Sequence, residues 1–385
     1  MKEGWIYKKL GEVCEVISGQ SPEGKNYNKD GDGLPFYQGK KDFSLKYVGD
    51  PTMWSTEVTK LAEKDDILMS VRAPVGDINF ATQKICIGRG LAAIRVGEHI
   101  DKDFLFFYLL ANKNDIKGKE GVGFSSINRK EIMDIGIYYP NNVMEQQRIA
   151  KRLDVAISHI DELKANAEKQ LSEARALFQK SLAKAMEPKE GWGERKFKDL
   201  CSFVRGPFGG SLKKEMFVAS GYAVYEQQNA IYNRFSFRYF IDEEKYNSMI
   251  RFSVSPGDLI MSCSGTIGKV AIIPDDAVNG IINQALLKLT PKKILDKYYL
   301  KYLMESSFFG QLITQYSDGA AIKNIASVAI LKDIILPLPS LSEQQRIVER
   351  LDALSAHVRE LEENQKKIIS ECDALKQALL RKVFE

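Results

Sequence analysis

The chain has 385 residues, 44% of them hydrophobic and 28% charged, with a formal net charge of +4. That length and apolar content predict a folded chain of two or three domains and exclude a disordered or fibrous one. Five scattered cysteines (Cys14, Cys86, Cys201, Cys263, Cys372), three histidines and the lack of any apolar run near the length of a membrane span exclude a disulfide framework, a zinc site and a membrane helix, and predict a cytoplasmic protein.

In chain order, residues 1–141 read as a first globular domain. It opens with Lys2-Glu3-Gly4-Trp5, carries Ser18-Gly19-Gln20-Ser21-Pro22, and contains a strand-turn segment, Asp66-Ile67-Leu68-Met69-Ser70-Val71-Arg72-Ala73-Pro74-Val75-Gly76. The aromatics Phe104 to Tyr108 read as a packing helix. Residues 142–187 then form one long helix. Asn142 stands three residues before Glu145 and follows Pro140, which is capping-box spacing. A heptad seam is predicted at Ile149, Leu153, Ala156, Ile160, Leu163, Ala167, Gln170, Ala174, Leu177 and Ser181, with Pro188 ending the run.

A second globular domain spans 188–339 and a second long helix 340–385. This helix repeats the start signal with Ser340 and Glu343 after Pro339. Its predicted seam is Ile347, Leu351, Leu354, Val358, Leu361, Gln365, Ile368, Cys372, Leu375 and Leu379. Gln170 and Gln365 are the polar seam positions that would set register. Each rod is expected to measure about 60 Å at 1.5 Å per residue.

The chain is written twice. Lys2-Glu3-Gly4-Trp5 returns as Lys189-Glu190-Gly191-Trp192, Asp66-Ile67-Leu68-Met69-Ser70 as Asp258-Leu259-Ile260-Met261-Ser262, and Glu145-Gln146-Gln147-Arg148-Ile149 as Glu343-Gln344-Gln345-Arg346-Ile347. The offset drifts from 187 to 192 to 198, so a domain-plus-helix module is duplicated with insertions inside its globular part. In the early segment only the glycine survives, Gly19 matching Gly206.

This order of variable domain, Glu-Gln-Gln-Arg-Ile helix, second variable domain and second Glu-Gln-Gln-Arg-Ile helix resembles the specificity subunit of Type I restriction-modification systems. The resemblance covers essentially the whole chain. It implies two α/β (α+β) target-recognition domains separated by two long helices in an antiparallel intramolecular coiled coil, with a pseudo-two-fold internal repeat. Each domain would read one half of a split double-stranded DNA site while the helices set the gap. The resemblance also implies two modification subunits docked on the helices, bringing S-adenosylmethionine, and restriction subunits bringing ATP, Mg and translocation.

The residues agree that catalysis lies elsewhere. There is no phosphate-binding glycine loop of the G-x-x-x-x-G-K-[ST] type, no G-x-G-x-x-G, and no Asn/Asp-Pro-Pro-aromatic run. Base reading needs Arg or Lys toward guanine and Asn or Gln toward adenine, presented on loops. The first domain offers Asn26, Tyr27, Gln38, Lys40, Lys41, Arg72, Arg89, Asn128, Arg129 and Lys130. The second offers Lys213, Lys214, Gln227, Gln228, Asn229, Asn233, Arg234, Arg238, Ser264, Thr266, Lys323 and Asn324. Arg72 and the Gln227-Gln228-Asn229 run are the leading candidates, with lysines expected on phosphates. The competing reading is an adaptor whose coiled coil tethers two protein-binding domains; it predicts no salt-dependent affinity for DNA.

Overall fold

The structure is a computed structural model and describes residues 3–116, 119–120, 125–264, 266–316 and 328–384. It divides into two compact units, Met1–Glu168 with Lys366–Glu385, and Lys169–Gln365.

In the first unit, strand Trp5–Lys9 pairs antiparallel with Gly136–Pro140 and ties the two ends of the globular part together. Four antiparallel strands follow in the order Cys14–Ser18, Leu91–Val96, Ile67–Ser70, Ile78–Phe80. A second, mixed sheet runs Tyr27–Asn28, Trp54–Ser55, Leu34–Tyr37, Ile85–Ile87, Leu61–Ala62, with Leu34–Tyr37 and Ile85–Ile87 parallel. The repeated Asp-aliphatic-Met-Ser segment explains how the layers stack. Successive side chains on a strand point to opposite faces. Ile67 and Met69 enter the core shared with helix Lys102–Ala111, and Leu68 enters the core beneath the mixed sheet. The strand is therefore apolar on both faces from Ile67 to Met69. Asp66 anchors its start through the Arg95 guanidinium at 2.8 Å.

The second unit repeats this plan. Its strand order is Cys201–Arg205, Leu286–Pro291, Leu259–Ser262, Val270–Ile272. Leu259 and Met261 face the helical core and Ile260 the other side. Here Thr290 Oγ1 donates to Asp258 at 2.5 Å, a partner different in kind from Arg95.

The long helices span Val143–Met186 and Leu341–Phe384, 44 residues each. Asn142 Oδ1 accepts from Met144 N at 2.9 Å, and Ser340 Oγ from Glu343 N at 3.3 Å. The glutamates do not reach back as a capping box requires. Glu145 instead grips Arg148 at 2.6 Å, and Glu343 grips Arg346 at 2.6 Å. The next residue of the repeated motif does the anchoring. Gln146 and Gln344 are fully buried. Gln146 accepts from Asp101 N and donates to the Pro140 and His99 carbonyls, and Gln344 accepts from Asp296 N and donates to the Pro339 and Ile294 carbonyls. Each glutamine thus locks the start of a long helix onto the N-terminus of its domain's packing helix.

The helices run antiparallel in both units. Lys376 pairs with Asp161 and Lys164 with Asp373 in the first unit; Arg175 pairs with Glu362 in the second. Gln365 Nε2 donates to Gln170 Oε1 at 3.0 Å, the polar register pair expected from the seam. Leu153, Ile160, Ile347 and Leu351 are buried, with Ile149, Leu354, Val358 and Leu379 half-buried. The phase of the seam needs correction at alternate positions. Leu163 and Leu177 are 58% exposed, Leu375 56%, Ile368 39% and Leu361 37%. Half-buried Leu171, Phe178 and Ile369 take the inward places, together with the lysine stems of Lys164 and Lys376, whose ammonium groups turn out to acids on the facing helix. Both phases share Leu153, Ile160, Ala167 and Ala174, so periodicity could not choose between them.

The far end of each long helix joins the core of a domain distant in sequence. Leu379, Leu380, Val383 and Phe384 pack into the first unit, with the Phe384 ring 5.5 Å from Phe104 and 5.4 Å from Tyr108. Phe178, Leu182, Ala185 and Met186 pack into the second.

Candidate nucleic-acid interface

In the first unit three loops are stitched edge to edge by backbone hydrogen bonds. Gly88 N donates to Tyr37 O at 2.8 Å, Gly90 N to Gln38 O at 3.0 Å, and Val71 N to Gly90 O at 3.0 Å. The turn after strand Ile67–Ser70 is closed by Ser70 Oγ donating to Pro74 O and by Gly76 N donating to Ser70 O. A fourth strand end crosses this frame so closely that a Cβ on Gly19 would lie 2.1 Å from the Gly88 carbonyl. Glycine is required there by contact, which is why Gly19 and Gly206 are shared when their neighbours are not.

The frame encloses a recess of about 250 Å³ lined by Gln38, Lys40, Ser70, Arg72 and Arg89 with backbone of Gly39, Ala73 and Gly90. Four residues singled out in the sequence, from three separate loops, therefore converge. Arg72, Arg89 and Gln38 are exposed and make no side-chain hydrogen bond or ion pair among the described residues. Lys40 differs, because its ammonium lies 2.5 Å from Asp77, which Lys113 also contacts. Burial alone would raise the Asp77 carboxyl, but its hydrogen bonds to Lys113 and Lys40 outweigh burial and hold it below the usual range. Two guanidiniums and one amide are left uncommitted around the recess.

The second unit repeats two of the three stitching bonds and the turn closure, while Ala285 N, at the place of Gly90 N, donates to Asn283 Oδ1. Asn283 N donates to Tyr225 O, Cys263 N to Ala285 O, Gly268 N to Ser262 O, and Ser262 Oγ to Thr266 O. A Cβ on Gly206 would lie 1.8 Å from the Asn283 carbonyl. These bonds set Ser264 where the first unit has Arg72, Gln284 where it has Arg89, and Glu226-Gln227-Gln228 where it has Gln38-Gly39-Lys40. Glu226 is held by Arg238 through two hydrogen bonds of 3.0 and 2.8 Å, and Gln228 Nε2 donates to it at 3.2 Å. Gln227 Oε1 and Arg205 Nη1 are buried atoms with no hydrogen-bond partner among the described residues. Burial pushes the Cys263 thiol up, and the nearby Arg205 guanidinium partly offsets it.

The other candidates are dispersed. Asn26 donates to Glu57, and Tyr27 stacks on Phe36 at 4.8 Å while its hydroxyl donates to Pro22 O. Asn128 caps helix Arg129–Met133 in a full capping box with Glu131, and Arg129 Nε donates to Val16 O at 2.7 Å. Asn229 is a correction. It is fully buried, accepts from Glu226 N and donates to the Arg234 and Ser236 carbonyls, so it holds a loop and has nothing left for a base. Asn233 takes the left-handed conformation that closes helix Gln227–Tyr232, leaving Arg234 exposed beside it. Lys41, Lys130, Lys213, Lys214, Ser264 and Thr266 are exposed. Lys323 and Asn324 lie outside the described residues. Sequence reasoning missed Arg205 and Gln284; matching the Arg89 loop at an offset of 195 residues would have found Gln284.

No group of His, Cys, Asp and Glu among the described residues could hold a metal ion. Burial pushes the Cys14 and Cys201 thiols up to about 12, so neither is poised as a nucleophile. No described helix is long and apolar enough to cross a membrane.

The Type I restriction modification DNA specificity domain model matches residues 2–173 and again 189–371. The candidate MjaX type I restriction enzyme specificity subunit of Methanocaldococcus jannaschii is 41% identical over 177 residues, a match spanning 45% of this chain and 41% of that relative. The EcoBI specificity subunit of Escherichia coli is 20% identical over 99% of this chain and 86% of its own length. The fold is shared with the HsdS subunit of Thermoanaerobacter tengcongensis, at a TM-score of 0.57 and 19% identity over 100% of this chain and 97% of that one. A chain solved in work on assembly and conformational transition of the type I R-M system gives a TM-score of 0.79 at 18% identity, covering 100% and 98%. With two copies of the domain accounting for nearly its whole length, the chain belongs to the type I restriction-modification DNA specificity family.

Proposed function

We propose that this chain is the non-catalytic DNA-reading subunit of a modification and restriction complex, each domain presenting its three-loop frame to one half of a split duplex target. The observation that carries this reading is the frame itself. Two of the three inter-loop backbone hydrogen bonds and the turn closure recur in both units while the side chains they display differ, which is what two readers of different sequences require. The tethering-adaptor alternative gains nothing from the family match.

The paired helices act as the ruler between the half-sites. Leu163 and Leu177 on one helix, and Leu361, Ile368 and Leu375 on the other, are exposed apolar positions at heptad-related spacing off the seam. Such exposed apolar positions suit docking of helical modification subunits. Those partners would bring S-adenosylmethionine, and restriction subunits would bring ATP and Mg.

Titration of fluorescent random duplex at low and high salt tests the first claim, with salt-dependent affinity expected and no affinity at any salt opposing it. Removing one heptad from both helices tests the ruler. It shortens each rod by about 10 Å, so the accepted gap should fall by about three base pairs at about 3.4 Å per base pair. An unchanged gap would contradict the assignment.

A further inference from the structure

We infer that the two frames are chemically specialised, the first for guanine and the second for adenine. This rests on the DNA-reading proposal above and adds which base chemistry each half of the target contains.

The matched positions decide it. Guanine shows two acceptors, N7 and O6, at its major-groove edge, and the guanidinium fork supplies two donors at the same spacing. In the first frame Arg72 and Arg89 stand on separate loops at one recess, with no competing acceptor among the described residues. Lys40 does not compete for the role, since Asp77 neutralises it. Adenine presents one acceptor, N7, beside one donor, the N6 amine, and an amide side chain mirrors that pair. In the second frame the positions of Arg72 and Arg89 are Ser264 and Gln284, and the position of Lys40 is Gln228.

Two of the cations near the second frame are engaged or inward, and Arg234 is exposed. Arg238 is forked onto Glu226, and Arg205 lies beside the buried Cys263 thiol. Gln227 Oε1 is an acceptor with no hydrogen-bond partner among the described residues. The N6 amine of adenine supplies its complement. A guanine edge, with acceptors alone, would leave the Gln227 oxygen unanswered.

Selection from a randomised 30-base-pair duplex library, using the full chain with its modification subunits, tests the inference. The wild type should enrich a split motif. Arg72→Ala and Arg89→Ala should each relax preference at a guanine in one half by roughly 5- to 150-fold and leave the other half intact. Gln284→Ala should relax an adenine in the opposite half. Arg72→Lys should keep overall affinity within a few-fold while still relaxing the guanine, because it preserves charge and removes the fork. All these side chains are exposed, so the substitutions leave the cores untouched. A split motif that survives Arg72→Ala and Arg89→Ala unchanged, with affinity lowered equally for all sequences, would mean phosphate contacts and overturn the specialisation while DNA reading stands. A wild type that enriches no motif would overturn both.

Discussion

Replacing Gln146 by methionine removes a buried hydrogen-bonding hub without changing side-chain length. Its amide makes three hydrogen bonds, accepting from Asp101 N at 2.8 Å and donating to the Pro140 and His99 carbonyls at 2.8 and 3.1 Å. At about 1 kcal/mol net for each buried bond, the loss is about 3 kcal/mol. Gln344→Met supplies an internal duplicate, because its three bonds have nearly the same lengths, 2.8, 3.0 and 3.1 Å. Two units need not unfold together, so a single melting temperature would mix them. Hydrogen-exchange mass spectrometry reads each unit from its own peptides. Gln146→Met should speed exchange in helix Lys102–Ala111 by roughly 100-fold, and Gln344→Met should do the same in Lys297–Glu305. A change of less than about fivefold in either helix, below about 1 kcal/mol, would refute the claim that this glutamine is why the motif recurs.

Leu380→Ala, at a position with no exposure, should cost about 2–5 kcal/mol. Exchange should accelerate in Lys102–Ala111 and not in Leu259–Ser262, since the end of the second long helix belongs to the first unit's core. Lys376→Met should cost about 2–3 kcal/mol by stranding Asp161, somewhat less than for a fully buried pair because the two side chains keep 20% and 15% exposure. Lys376→Leu combined with Asp161→Leu should recover most of that loss in urea unfolding; a double variant worse than the single one would count against the pairing. Asp77→Asn should release Lys40 and Lys113 from their shared carboxylate and steepen the salt dependence of DNA binding by up to about 0.9 in log–log slope per phosphate engaged. An unchanged slope would show that neither lysine reaches the backbone.

What was legible in the chain is of one kind. The duplication, the two long helices, their caps at Asn142 and Ser340, and the Gln170–Gln365 pair depend on residues close in sequence or on patterns repeated along it. The clustering of Gln38, Lys40, Arg72 and Arg89 was anticipated only as separate candidates, because three loops had to be brought together before they shared a recess. Asn229 looked like its neighbours Gln227 and Gln228, and only the loop folding back over it showed that its amide serves the Arg234 and Ser236 carbonyls.

The amino-acid sequence by itself determined the architecture: a module repeated at an interval near half the chain, each copy ending in an amphipathic rod, since local periodicity and internal identity need no partner to be seen. Tertiary structure alone decided which face of each rod turns inward, which domain core receives Phe384 and Met186, and which polar side chains remain free. These depend on contacts between residues far apart in the chain, which choose among arrangements that periodicity leaves undecided.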